Sequence, residues 1–221
     1  AFIEKHLYPM AAAIWSMPAN DVAAFPAQAF IRFFENHGLL ILKDRPQWRT
    51  VTGGSRSYVE KLTASFKDHI RLNTPAETVV RYQDHVTVNN EPFDHVILAC
   101  HADQSLAILK DASKHEQDVL SAFPYKENIA YLHQDKNMMP KDRKIWSSWN
   151  YMTEKDMPED IYVSYWMNNL QGFLPPDDPL FVTLNPAKPP EEEKVIKRIK
   201  YHHPQYGENA LKGWERIKTI Q

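Results

Sequence analysis

Glycine is scarce in this chain, six in 221 residues, and none stand at the offsets of a Gly-x-Gly-x-x-Gly turn. The phosphate cradle that such a turn forms at a helix start is therefore not legible. Cysteine is scarcer still. Cys100 alone excludes an internal disulfide framework and a cysteine-built zinc site, and it fits a reducing compartment, the cytoplasm. No apolar run approaches the roughly 20 residues that cross a bilayer, and the first residues lack the pattern of a secretory signal. Charge of one sign is missing too: 26 basic against 28 acidic side chains give −2. Nothing electrostatic draws such a surface to nucleic acid or to an anionic membrane. There is no Gly-x-Ser-x-Gly elbow. Cys100-His101 is a poor catalytic pair, because consecutive strand residues project to opposite faces, and Cys100 reads as a small buried strand-end residue. His202-His203 lacks the spacing of a helical metal pair, and no metal site is expected.

What is present supports a substantial core, with 43% hydrophobic residues. The most informative stretch runs from Trp48 to Leu62. An extended segment ends at Gly53-Gly54, the one place with adjacent glycines, where the backbone turns sharply or approaches something closely. Ser55 is placed to cap a helix whose Tyr58, Val59, Leu62 and Phe66 fall on one stripe.

Residues 1–38 read as helical, with Pro9 interrupting the run Leu7 to Trp15, and with Ala27, Phe30, Ile31 and Phe34 at helical spacing before His37-Gly38. Leu39 to Leu42 reads as a short strand. Ile70 to Leu72 reads as extended, and Thr78 to Val88 as strands that turn at Asn89-Asn90. Phe93 to Cys100 has five consecutive apolar residues and reads as a strand covered on both faces. Asp103 is placed to cap the next helix, and Ser113 with Glu116 forms a capping box for another. From 126 to 170 aromatic-rich extended runs alternate with polar turns, which predicts an antiparallel sheet. Tyr162, Ser164 and Trp166 point one way along it and Val163, Tyr165 and Met167 the other. Six prolines between 175 and 190 leave room for one strand, Leu180 to Leu184. Val195 to Tyr201 reads as the last strand and Tyr206 to Ile220 as a terminal helix.

The order of Gly53-Gly54, Thr74-Pro75-Ala76 and the strand Phe93 to Cys100 resembles the flavin-containing amine oxidase superfamily. More narrowly it looks like a bacterial group of predicted NAD/FAD-binding oxidoreductases. The likeness continues through Lys144 to Tyr151, Ser164 to Asn168 and Thr183 to Pro186. It implies an α+β fold: a substrate domain of helices and mixed or antiparallel sheet, joined to part of an FAD/NAD(P)-binding α/β domain. The implied partition is 1–47 for the helical part of the substrate domain and 48–112 for part of the FAD-binding domain. Residues 113–203 would be the β-rich substrate domain, and 204–221 a helix returning toward a further FAD segment.

Because that family opens with a Gly-x-Gly-x-x-Gly turn that this chain lacks, the resemblance implies the middle portion of a longer flavoprotein. On its own the portion is expected to be inactive and to bind FAD poorly. Ala76 falls where the family offers backbone groups to the FAD adenine, and Ala99, Cys100, Gly53 and Gly54 fall near the cofactor. All read equally as ordinary sheet and turn positions. Trp146, Trp149, Tyr151, Tyr165 and Trp166 are expected to line an apolar cavity for a small-molecule substrate. In the family the flavin carries out the hydride chemistry, so no side-chain triad is expected, and no catalytic residue is named. The parent would dehydrogenate an amine or a C–C bond. Two alternatives stand beside this one. Phe93 to Ala99 also looks like a strand of an S-adenosylmethionine-dependent methyltransferase. A non-catalytic module binding a lipid or a protein would show Trp146 or Trp166 on an exposed face.

Overall fold

A computed structural model describes residues 2–15, 22–23, 25–41, 43–44, 46–154, 157–205 and 207–220. In chain order its elements are α1 (Tyr8–Trp15), α2 (Ala27–Asn36), α3 (Ser55–Thr63), β1 (Val79–Arg81), β2 (Val86–Val88), β3 (Glu91–Phe93), α4 (Ala102–Ile108) and α5 (Lys114–Leu120). There follow β4 (Tyr125–His133), β5 (Trp149–Glu154), β6 (Met157–Trp166), the single turn α6 (Met167–Leu170), β7 (Phe181–Leu184), β8 (Val195–Pro204) and α7 (Glu208–Arg216). The fold is α+β, helices with antiparallel sheets. Two compact units divide it, residues 1–65 with 127–203 and residues 66–126 with 204–221.

In the first unit five strands lie in the order β5-β6-β7-β4-β8. Cross-strand partners share a face, so the register sorts the side chains. One face carries the row Asn150, Ser164, Thr183 and Tyr131, and beside it Trp166, Phe181 and His133. The other carries Trp149, Tyr165, Val182 and Leu132, then Tyr151, Val163, Leu184 and Ala130. Helix α1 packs on β5 and β6. Its Ala11 and Ala12 join Val22 in a cluster lined by Tyr8, Trp15 and Phe30. Pro9 does not interrupt α1. The helical turn before it is widened, with Tyr8 N–H reaching back to Ile3 O, and that wider turn accommodates the proline.

The expected strand at Leu39 to Leu42 does not form in its described part. Gly38, at φ 63°, ends α2 in a Schellman arrangement: Leu39 N–H reaches Phe34 O at 2.8 Å and Gly38 N–H reaches Glu35 O at 3.0 Å. That spends the backbone groups of residues 38 and 39 on the helix end, and Leu42 lies outside the described residues. Gly54, not Ser55, is the N-cap of α3. The α3 stripe is not a buried face, for Leu62 is 68% exposed, and Tyr58 and Val59 are exposed with it.

In the second unit β1, β2 and β3 form an antiparallel meander, and Asn89 and Asn90, at φ 50° and 68°, make the tight turn between β2 and β3. Val79, Val86 and Leu109 are its buried centre. Ile70 to Leu72 joins no sheet: Ile70 is extended as expected, but Leu72 already stands in a turn with Asn73. Ser113 and Glu116 form the expected capping box of α5. At α4 the N-cap is His101 instead of Asp103: Gln104 Oε1 accepts the His101 N–H at 3.2 Å, while Asp103 accepts the N–H of Gln104. Helix α7 packs on α5, and a Cβ on Gly213 would lie 2.8 Å from Ala122 Cβ and 3.1 Å from the Phe123 ring. Ala122 has no rotamer with which to retreat. Gly213→Ala is expected to lower stability by about 1–3 kcal/mol despite the better helix propensity of alanine, read as a lower thermal midpoint.

Residues 94–100 are the largest departure from expectation. Only the tail of β3 at Phe93 is laddered; 95–99 form no helix or turn and join no sheet among the described residues. Val96 and Leu98 turn inward onto the Val79 cluster, whereas Ile97 is 90% exposed. The strand is covered on one face, not two.

Candidate functional site

The five aromatic residues expected to line one cavity fall on opposite faces of the five-stranded sheet. Trp166 is on the face of Phe181, and Trp146, from the connection between β4 and β5, meets both edge-on at 5.4 and 5.5 Å. The Trp146 indole N–H is satisfied by Pro140 O at 2.7 Å, and Trp146 and Trp166 are half-buried. This is packed core of the 134–147 connection, not an exposed aromatic patch.

Trp149, Tyr151 and Tyr165 share the other face. Trp149 stands directly across from Tyr165 and donates its indole N–H to the Tyr165 hydroxyl, while Tyr151 follows two residues along β5. All three are half-buried, and burial pushes both tyrosine hydroxyls up from their ordinary pKa, so they stay protonated donors. With Val182, Leu184 and Leu132 they make an apolar surface bearing two hydroxyls. Such a surface suits a substrate that is mostly hydrocarbon and offers one or two acceptors.

Behind it lies a buried polar network. Asn150 donates to Ser147 O at 2.6 Å and Ser164 O at 3.1 Å and accepts from Ser147 N–H at 2.9 Å. Ser164 and Thr183 hydroxyls meet at 2.7 Å, and Thr183 meets His133 Nε2 at 2.7 Å. Ser164, Thr183 and His133 are fully buried. Burial holds His133 down to about 4, so it is neutral at pH 7, the Asp135 carboxylate only partly opposing this. Every member has its partners, which marks the network as structural. Only cross-strand register brings these residues together, and register is not written in any one strand.

Among the cofactor-side residues, Gly53 and Gly54 belong to the first unit and Ala76, Ala99 and Cys100 to the second. Gly53 and Gly54 take φ of 82° and 78°, and Ser57 Oγ donates back to Gly54 O at 2.7 Å. Around Ala76, Asn89 accepts from Glu77 and Thr78 N–H at 2.8 and 3.2 Å and donates to Pro75 O at 2.8 Å. Ala76 itself makes no hydrogen bond and is exposed. Ala99 is exposed on the unpaired 95–99 segment. Cys100, expected to be buried, is exposed, with its thiol 3.2 Å from Ser105 Oγ. His101 does not face Cys100 but stacks on Tyr125 at 4.3 Å. Among the described residues no three His, Cys, Asp or Glu side chains gather in a way that holds a metal ion, and no helix is long and apolar enough to cross a membrane.

No family model matches the chain, and no curated protein matches it. Among solved structures it is similar to the crystal structure of a CLA-producing fatty acid isomerase from P. acnes, at 14% identity and a TM-score of 0.50. The match covers 76% of this chain and 44% of that one, so the chain spans less than half the length of the isomerase. The likeness is one of fold, to an enzyme.

Proposed function

We propose that these residues are the central part of a larger FAD-dependent oxidoreductase, of the amine oxidase kind that the sequence resembles, acting in the cytoplasm on a largely apolar small molecule. The observation that carries this reading is the open segment 95–99. Val96 and Leu98 pack inward as a sheet strand's residues do, yet among the described residues the segment finds no main-chain hydrogen-bond partner, and it exposes Ile97. An apolar stretch without such partners calls for neighbouring strands. A strand ending in the phosphate-binding turn that the sequence lacks is the partner that fits.

The residues at hand suit the adenine end of the cofactor. Ala76 has two unengaged peptide groups on a loop that Asn89 fixes by three hydrogen bonds. Ala99 leaves room beside the open segment. Bound flavin would supply a hydride acceptor. The substrate would rest on the Trp149, Tyr151 and Tyr165 face, where the hydroxyls orient it and the apolar neighbours exclude water. A fatty acyl chain, the substrate class of the similar isomerase, fits that face as well as an aryl or alkyl amine does.

Hydrogen exchange tests the open segment. In this 221-residue chain the amides of 95–99 exchange freely, and in a longer polypeptide holding FAD they become protected. Equal protection in both sinks the reading. Thermal-shift screening with FAD and with S-adenosylmethionine separates it from a methyltransferase.

A further inference from the structure

His133 is wholly buried, and each hydrogen bond around it has one possible direction. The Asp135 main-chain N–H donates to Nδ1 at 3.0 Å, so Nδ1 carries no proton and the ring hydrogen sits on Nε2. Nε2–H donates to Thr183 Oγ1, Thr183 then donates to Ser164 Oγ, and Ser164 donates to Met138 O at 2.9 Å. A carbonyl ends the series, so no member can reverse. A proton arriving at Nδ1 would meet the Asp135 N–H donor to donor.

We infer that His133 is an acid-sensitive latch: protonation at Nδ1 draws the Asp135 carboxylate off the turns it holds and loosens the 134–147 connection over the sheet. Asp135, 2% exposed, ties two segments together, its Oδ1 accepting Asn137 N–H and its Oδ2 accepting Glu191 N–H, each at 3.0 Å. Lys194 Nζ lies 3.6 Å from Asp135 Oδ1 and 2.6 Å from Glu191. β6 and β7 meet His133 with Ser164, Thr183 and Phe181, which do not titrate here, and β8, the other neighbour of β4, adds the cation Arg198 over the Tyr131 ring two residues along. Among the described residues Asp135 is the carboxylate whose charge acts on the His133 ring. Moving to it frees both turn amides.

The direction follows from burial. The unfolded chain takes up this proton near the ordinary histidine value of about 6.5 and the folded chain near 4. The stabilisation is whole above about 6.5 and is lost as pH falls toward 4. What the latch holds is the cover of the Trp146, Trp166 and Phe181 core, with Met138 and Met139 buried beneath it.

The test uses the full chain with ¹⁵N-labelled histidine, followed by NMR from pH 7.5 to 3.5. As the His133 ring protonates, the amides of Asn137 and Glu191 should lose protection about tenfold after correction for intrinsic exchange, while Val119 in the other unit stays protected. His133→Gln keeps one acceptor and one donor but takes no proton, and its two amides should stay protected. Protection retained after the wild-type ring has protonated overturns the latch, as does loss that does not track the ring. These wild-type readouts decide the matter even where the variant fails to fold.

Discussion

Replacing Phe181 with alanine lowers the stability of the first unit by about 3–5 kcal/mol, the cost of truncating a fully buried aromatic ring. Phe181 is 0% exposed and lies on the central strand β7, with Trp166 and His133 as its cross-strand partners. Trp146 meets its ring at 81° and His133 at 37°, with centroids 5.5 and 5.6 Å away. The cavity opens on Trp146, Trp166 and His133, and the hydrogen bonds of Trp146 to Pro140 O and of His133 to Thr183 and Asp135 limit how far those two rings can collapse into it. Chemical denaturation followed by tryptophan fluorescence should show a midpoint shift, with red-shifted emission from Trp146 and Trp166 before the main transition. Phe181→Leu should recover roughly half the loss, because it refills most of the volume without the edge-to-face contacts.

Arg81→Met is expected to cost about 1–3 kcal/mol at pH 7 and less in strong acid. Arg81 grips Glu116 with both guanidinium nitrogens, Nη2 at 2.9 Å and Nη1 at 2.5 Å, and reaches Asp111 with Nε at 2.8 Å. Glu116 also accepts the Ser113 N–H and hydroxyl at 2.7 and 2.8 Å, so one carboxylate joins β1 to the start of α5. The Arg81 bonds, with those from Ser113, hold Glu116 down to about 2 from 4.5 against the opposing effect of burial. That interval, about 3 kcal/mol, is shared between the Arg81 bonds and those from Ser113, which the variant keeps. A depressed carboxylate gives stability that is complete above about 4.5 and is lost as pH falls toward 2. Removing Arg81 leaves a buried carboxylate short of its cation, so the variant should lose most of this pH dependence. Urea unfolding at pH 7 and pH 3 measures both effects.

Elements whose signals are local were legible in the sequence. Alternation along 129–133, 161–166 and 181–184 announced three strands, and Ser113 with Glu116 announced α5. Asn89-Asn90 announced its turn because asparagine tolerates positive φ. Elements that depend on what lies opposite were not. The order of the sheet, with β7 between β6 and β4, is set by register and not by sequence neighbours. Five apolar residues from 96 to 100 look the same whether a strand has two covers or one. The stripe of α3 is likewise correct as a pattern and exposed in the structure. Trp149, Tyr151 and Tyr165 were legible as a possible surface, while Trp146 and Trp166 looked identical to them until register placed them on the opposite face.

Titration with FAD, on this 221-residue chain and on a longer polypeptide carrying the proposed partner strand of 95–99, is the most direct test. The account expects binding weaker than about 100 μM for the chain alone and one tightly held flavin for the longer protein. A tight, stoichiometric complex with the 221 residues by themselves, or none with the longer protein, would contradict it.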